Sequence, residues 1–122
     1  MNFVNDIHEQ KYEALVKRMG AEKDVYRKAL AYLITADEAC GNHIEQIYDF
    51  DDRCIKLECL NAGWLTSTSR KTLSLAFNLY TGCTVWADSA SDCAVADIFC
   101  CCLAPYYWEA IKLRYPEYSA SA

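Results

Sequence analysis

Apolar residues recur at helical spacing along most of the chain. Tyr12, Leu15, Val16 and Met19, with Ile7 or His8 one turn earlier, predict a helix from about Asp6 to Met19. Asp6 and Glu9 have capping-box spacing, and Gly20 stands where a left-handed residue commonly ends a helix. A second stripe of Val25 or Tyr26, Ala29, Leu30, Leu33 and Ala36 predicts a helix from Asp24 to about Cys40. Arg27, Lys28, Asp37 and Glu38 lie off that stripe, and Gly41 marks its end. Asn42 then opens a short third helix whose buried side is Ile44, Ile47 and Tyr48.

The run Asp49-Phe50-Asp51-Asp52-Arg53 breaks the pattern. Residues Cys54 to Thr68 read as irregular, with one short helical turn near Leu57 to Asn61 and a Gly63-Trp64 turn whose indole plugs the core. A fourth helix follows from about Ser69 to Tyr80. Its main stripe is Leu73, Ala76, Phe77 and Tyr80, and Leu75 and Leu79 widen it, which predicts a central helix with contacts on two sides. Cys83 to Asp92 carries the small and polar residues of a surface loop. A fifth helix is expected from about Asp92 to Cys102. The last runs from Pro105 to before Pro116, with Tyr107, Trp108, Ile111 and Tyr115 inward and a Glu109–Lys112 pair outside. No strand alternation persists. The pattern predicts an all-α fold, a compact single-domain bundle of about five to six helices with an irregular middle segment, spanning residues 1–122.

Composition agrees. At 122 residues with 53% apolar and 24% charged side chains, the chain has the length and make-up of one globular domain and needs neither disulfides nor metal to fold. A net charge of −5 disfavours broad affinity for nucleic-acid backbones. No stretch reaches the roughly 20 apolar residues of a membrane span, and the opening MNFVNDIHEQK does not read as an export signal. A cytoplasmic location is therefore expected. The eight Cys include no Cys-x-x-Cys pair, so they read as structural thiols and not as a zinc site.

Four constellations could carry chemistry. The acidic run Asp49, Asp51 and Asp52 lacks the spacing of a calcium loop and reads as a solvated turn. His8 and His43 fall in first turns of predicted helices, where exposure explains them, although His43 with Cys40 and nearby acids could form a small catalytic or metal site. Asp37 and Glu38 could join Asp49 or Glu45 as a carboxylate pair, a weak signal without geometry. The hydroxyl-rich stretch Thr66-Ser67-Thr68-Ser69-Arg70-Lys71-Thr72 is the most suggestive, because a helix start carrying two cations can hold phosphate. The candidate interaction face is accordingly Ser69, Arg70, Lys71, Ser74 and Asn78. No catalytic, cofactor-binding or metal-binding residue is assigned, and no common nucleotide-binding or hydrolase motif occurs.

Several segments in order resemble an uncharacterised family of small helical proteins from anaerobic Gram-positive bacteria and their phage-like or conjugative elements. They are Tyr26 to Leu33, His43-Ile44 with Ile47 to Phe50, Gly63 to Thr66, Leu75 to Tyr80, and Ala104 to Ala110 through Tyr115 to Tyr118. The chain departs from that pattern at Leu65, where Gln is expected, and at Leu57, where Pro is expected. The resemblance implies an accessory protein and carries over no catalytic residue. The leading functional expectation is a non-enzymatic protein-interaction or regulatory module with a protein partner or self-association. Its alternatives are a nucleic-acid-binding regulator using the helix that starts at Ser69, and a small enzyme or metal protein around His43.

Overall fold

A computed structural model describes residues 1–83 and 94–118. Among these residues the chain forms seven α-helices, with one two-stranded hairpin and two 3-10 turns. The helices are α1 (Asp6–Met19), α2 (Val25–Ala36), α3 (Glu38–Gly41), α4 (Ile44–Ile47), α5 (Ser67–Thr81), α6 (Val95–Ile98) and α7 (Ala104–Arg114). The hairpin pairs β1 (Tyr48–Asp49) with β2 (Cys54–Ile55) in antiparallel register. The 3-10 turns are Leu57–Asn61 and Pro116–Tyr118. The helical fold class and the turn at Leu57–Asn61 follow the sequence pattern. The predicted loop at Cys83 to Asp92 and the start of the predicted fifth helix lie outside the described residues, and what is described of that helix is the single turn α6.

Helix α1 begins and ends where its stripe predicts, but its N-cap is Asn5, not Asp6. The Asn5 side chain accepts from the His8 amide, and Gly20 closes the helix at φ 65°. Helix α2, not α5, is the central element. All its residues from Ala29 to Ala36 are buried, and it packs against α1, α5 and α7. A helix enclosed on every side loses the polar face that an amphipathic stripe assumes. Arg27 staples the α1–α2 turn: it donates to the Met19 carbonyl at 2.7 Å and to its own N-cap, Asp24, at 2.7 Å.

The predicted continuation of α2 to Cys40 is interrupted at Asp37. There the backbone turns extended, with ψ at 123°. The Asp37 side chain then caps the next helix, accepting from the Cys40 amide at 3.1 Å. This residue, expected off the apolar stripe, is 6% exposed. A buried carboxylate needs hydrogen-bond donors to offset lost hydration. Ser69 Oγ donates to Asp37 Oδ1 at 3.1 Å, and Thr72 Oγ1 lies 3.4 Å from Oδ2. Thr72 also sits 2.7 Å from the Tyr107 hydroxyl and 2.9 Å from the Thr68 carbonyl. Tyr107 donates to Thr72 Oγ1, and the single Thr72 proton is divided between the Thr68 carbonyl and the carboxylate. Thr66, the N-cap of α5, accepts from the Ser69 amide and shares a hydroxyl contact of 2.8 Å with Ser69. One carboxylate thus ties α3, α5 and α7 to the end of α2.

The acidic run is the hairpin turn. Asp49 Oδ1 accepts from the Asp51 and Asp52 amides at 2.9 and 3.0 Å, and Arg53 takes the left-handed conformation at φ 55°. A carboxylate that closes its own turn explains these residues without a cation. Trp64 borders the core and does not plug it: its ring stacks on His43 at 4.3 Å and its indole N–H donates to Gln46 at 2.7 Å.

Replacing Asp37 removes a helix cap and takes away the acceptor that Ser69 and Thr72 share. Asp37→Ala is expected to lower unfolding stability by about 2 to 4 kcal/mol in urea titrations, and Asp37→Asn by roughly half of that. A loss under about 0.5 kcal/mol for the alanine variant would refute the anchoring role.

Candidate functional site

The predicted interaction face divides when folded. Ser69 and Ser74 are buried, Ser69 because it serves Asp37, so neither presents a surface to a partner. Arg70 and Lys71 are half-exposed, but each is engaged by a backbone carbonyl. Arg70 donates to the Leu60 carbonyl at 3.2 Å, and Lys71 donates to the Cys100 carbonyl at 3.0 Å. The features that suggested a phosphate site are therefore used internally: the Thr66 side chain and carbonyl occupy the Ser69 and Arg70 amides, and the cations cap backbone.

Asn78 has a different setting. It lies at the edge of an apolar groove of about 220 Å³ where α5, α6 and α7 meet. Helix α5 supplies Leu75 and Leu79, two positions at i and i+4 that its broad apolar face turns toward α6 and α7. Helix α6 supplies Val95 and Ile98, with Phe99 just after it. Helix α7 supplies Ile111, and Tyr115 follows its last turn. The groove is held open by rigid neighbours. Phe99 meets Tyr107 edge to face at 5.7 Å, and Lys71 fixes the turn at Cys100. At the other end the Arg114 guanidinium lies between the rings of Tyr26 and Tyr115, 3.6 and 4.3 Å from their centroids, and donates to the Leu79 carbonyl at 2.9 Å. A cation between two ring faces on a backbone carbonyl immobilises Tyr115.

Two apolar side chains of α6 and α7 stand exposed. Val95 is 71% exposed on the groove's rim, and Trp108, expected to face inward, is 57% exposed. The reason lies in α7 itself. Tyr107 and Ala110 form the row that enters the core, Ile111 and Tyr115 are partly buried against it as expected, and Trp108 alone of the expected inward residues is turned to solvent. Which row of α7 enters the core is set by Tyr107 reaching Thr72. The predicted Glu109–Lys112 pair forms at 3.0 Å.

The other candidate groups are placed as follows. His8, expected to be exposed, is buried, with both ring nitrogens in hydrogen bonds. His43 contacts the Ala39 carbonyl through Nδ1 at 2.8 Å and lies under Trp64. Cys40 is buried in the core, and burial pushes its thiol far above the ordinary range. Burial likewise pushes the Cys59 thiol up to about 12, with Glu58 adding to the effect. Among the described residues no three His, Cys, Asp or Glu side chains converge as a metal ion requires, and no helix is long and apolar enough to cross a membrane.

The chain belongs to a family of unknown function, DUF6075, whose family model matches residues 1–122. No curated protein and no solved structure matches it.

The thiols should separate by burial. In native protein at pH 8, an aromatic disulfide reagent should modify the exposed Cys54, Cys83, Cys100 and Cys102, whereas Cys40 and Cys59 react only after denaturation. Mass spectrometry of digested adducts reads this directly. Native labelling of Cys40 would contradict its placement in the core.

Proposed function

We propose that this chain is a non-enzymatic interaction module that docks an amphipathic segment of a partner protein in the groove between α5, α6 and α7. The observation that carries this reading is the apolar groove between the three helices with the exposed side chain of Val95 on its rim. Exposed apolar side chains beside a preformed trough are how a helix or extended peptide gains a foothold.

Size supports a side-chain anchor over a small-molecule site. Ligand pockets usually enclose about 300 to 1,000 Å³, and this groove offers about 220 Å³. A space of that order suits one or two large aliphatic or aromatic side chains. Tyr115 and Phe99, both held by neighbours, would form a rigid wall that loses little entropy on binding. Asn78 places its side-chain amide at the rim, where it already donates to the Cys83 carbonyl at 3.0 Å and can offer its oxygen to a partner's backbone.

The same proposal gives the protein a regulatory, accessory role in the cytoplasm of a bacterium, in keeping with its resemblance to small proteins of phage-like and conjugative elements. Self-association through this groove is one form that the partner can take.

A photo-crosslinking side chain placed at Val95 should form adducts with a discrete protein in host cells, or with a second copy of the chain. Val95→Asp, at an exposed position, should weaken recovery of that species at least tenfold, while Ile7→Asp on the α1 surface leaves it unchanged. An absence of adducts from Val95, or equal recovery with Val95→Asp, would remove this function.

A further inference from the structure

We propose that His8 is a proton-operated latch that holds residues 1–5 against α1 and α2 and releases them on acidification. The geometry defines the ring's state. His8 Nδ1 lies 3.0 Å from the Val4 amide, which can only donate, so Nδ1 accepts. Nε2 lies 3.0 Å from the Tyr32 carbonyl, which can only accept, so Nε2 carries the proton. The imidazole is therefore neutral with one defined tautomer. A second proton would have to sit on Nδ1, pointing at the Val4 N–H, and one of the two groups must leave.

The residues before α1 depend on this contact. Val4 is held by His8, and the Tyr32 hydroxyl donates to the Asn2 carbonyl. Phe3 lies between the rings of His8, Tyr12 and Tyr32, with centroids 5.1, 5.6 and 5.8 Å away. Val4 and Asn5 then form one wall of a cleft of about 320 Å³, whose other walls include Ile7, Lys11, Thr35 and Glu38. Release of this strap frees the Phe3 ring, uncovers Tyr12 and Tyr32, and opens the cleft along one side.

The surroundings offer an imidazolium little compensation. His8 is 3% exposed. Its own helix brings Lys11 and Tyr12 near it, α2 brings Tyr32 and Thr35, and α7 brings Tyr106 at 6.5 Å between ring centroids. Of the nearby carboxylates, Asp6 and Glu9 are exposed on α1, and Glu38 is exposed at the cleft's edge. Glu109 of α7, whose charge reaches Tyr32, is paired with Lys112. Burial lowers the histidine's affinity for a proton, and its bond to the Tyr32 carbonyl offsets only part of this. With the strap open the ring regains water and titrates near its ordinary value of 6.5. The open form therefore binds more protons below that pH, and closure weakens as pH falls through this window. A single proton linkage shifts the opening equilibrium by up to about tenfold per pH unit, until the closed form also protonates.

Amide hydrogen exchange, corrected for intrinsic pH dependence, tests the latch on the full chain. Protection of the Val4 amide should fall by up to about tenfold between pH 7.5 and 5.5, while Leu30 and Leu33 in α2 keep theirs. His8→Gln should make Val4 protection independent of pH. In wild-type protein, the His8 ring proton resonances should titrate below the ordinary value of 6.5, because the closed form excludes the proton, which keeps the test decisive if the variant does not fold. Constant Val4 protection, an equal fall in His8→Gln, simultaneous loss at Leu30, or a His8 ring that titrates at or above 6.5 would each overturn the proposal.

Discussion

The fold turns on one buried carboxylate. Asp37 stands at the end of α2, the helix that the rest of the core surrounds, and a charged group there is tolerable only if donors converge on it. Two separated stretches supply them: the Cys40 amide in α3, and in α5 the Ser69 and Thr72 hydroxyls, 32 and 35 positions away. Each donor imposes a direction. The amide fixes α3 as a new helix and not a continuation of α2. The two hydroxyls fix the rotation of α5 about its axis, and Tyr107 behind Thr72 fixes α7. Apolar packing alone would leave helix rotation loosely specified, since several apolar rows on α5 and α7 could face inward. The polar contacts remove that freedom.

The groove is a consequence. Once Ser69 and Thr72 point toward Asp37, Leu75 and Leu79 lie one and two turns further along α5, against α6 and α7. Once Tyr107 points toward Thr72, Ile111 and Tyr115 lie partly buried beside the groove and Trp108 is left in solvent. The groove is therefore coupled to the buried network, and a change at Asp37 would be felt 30 or more positions away along the chain.

The extent of regular structure was largely legible in the sequence, because it depends on local periodicity and caps. Asp6 to Met19, the turn at Leu57 to Asn61, the Asp24 cap and the Glu109–Lys112 pair are all set by neighbours within four positions. What was not legible depends on distant partners. Ser69 and Ser74 carry the side chains of an exposed helix edge, and nothing within a turn of Ser69 signals that its acceptor lies in another helix. Asp37 continues an unbroken helical pattern, and its burial appears only when α5 is packed beside it. Strands of two residues, as in the hairpin, are too short to alternate. His8 was legible as a stripe position beside Ile7, yet its bond to the Tyr32 carbonyl requires α2.

The cations show the same economy and bear on which partner fits. Arg27, Arg70, Lys71 and Arg114 each donate to a backbone carbonyl, those of Met19, Leu60, Cys100 and Leu79. These carbonyls lie at or near the ends of helices and turns, where acceptors lack intrahelical donors and a cation also complements the helix dipole. With Lys56, which donates to the Glu45 carbonyl, five of the twelve basic residues are in this way drawn into joints of the fold, and the chain as a whole carries a net charge of −5. A polyanion meeting such a surface would be repelled at long range and would have to displace cations from carbonyls at short range. An apolar side chain entering the groove meets neither obstacle. It buries Val95 and the groove-lining side chains of α7, displaces water alone, and leaves the joints intact. On this balance of costs the groove, and not the start of α5, is the better place for a partner.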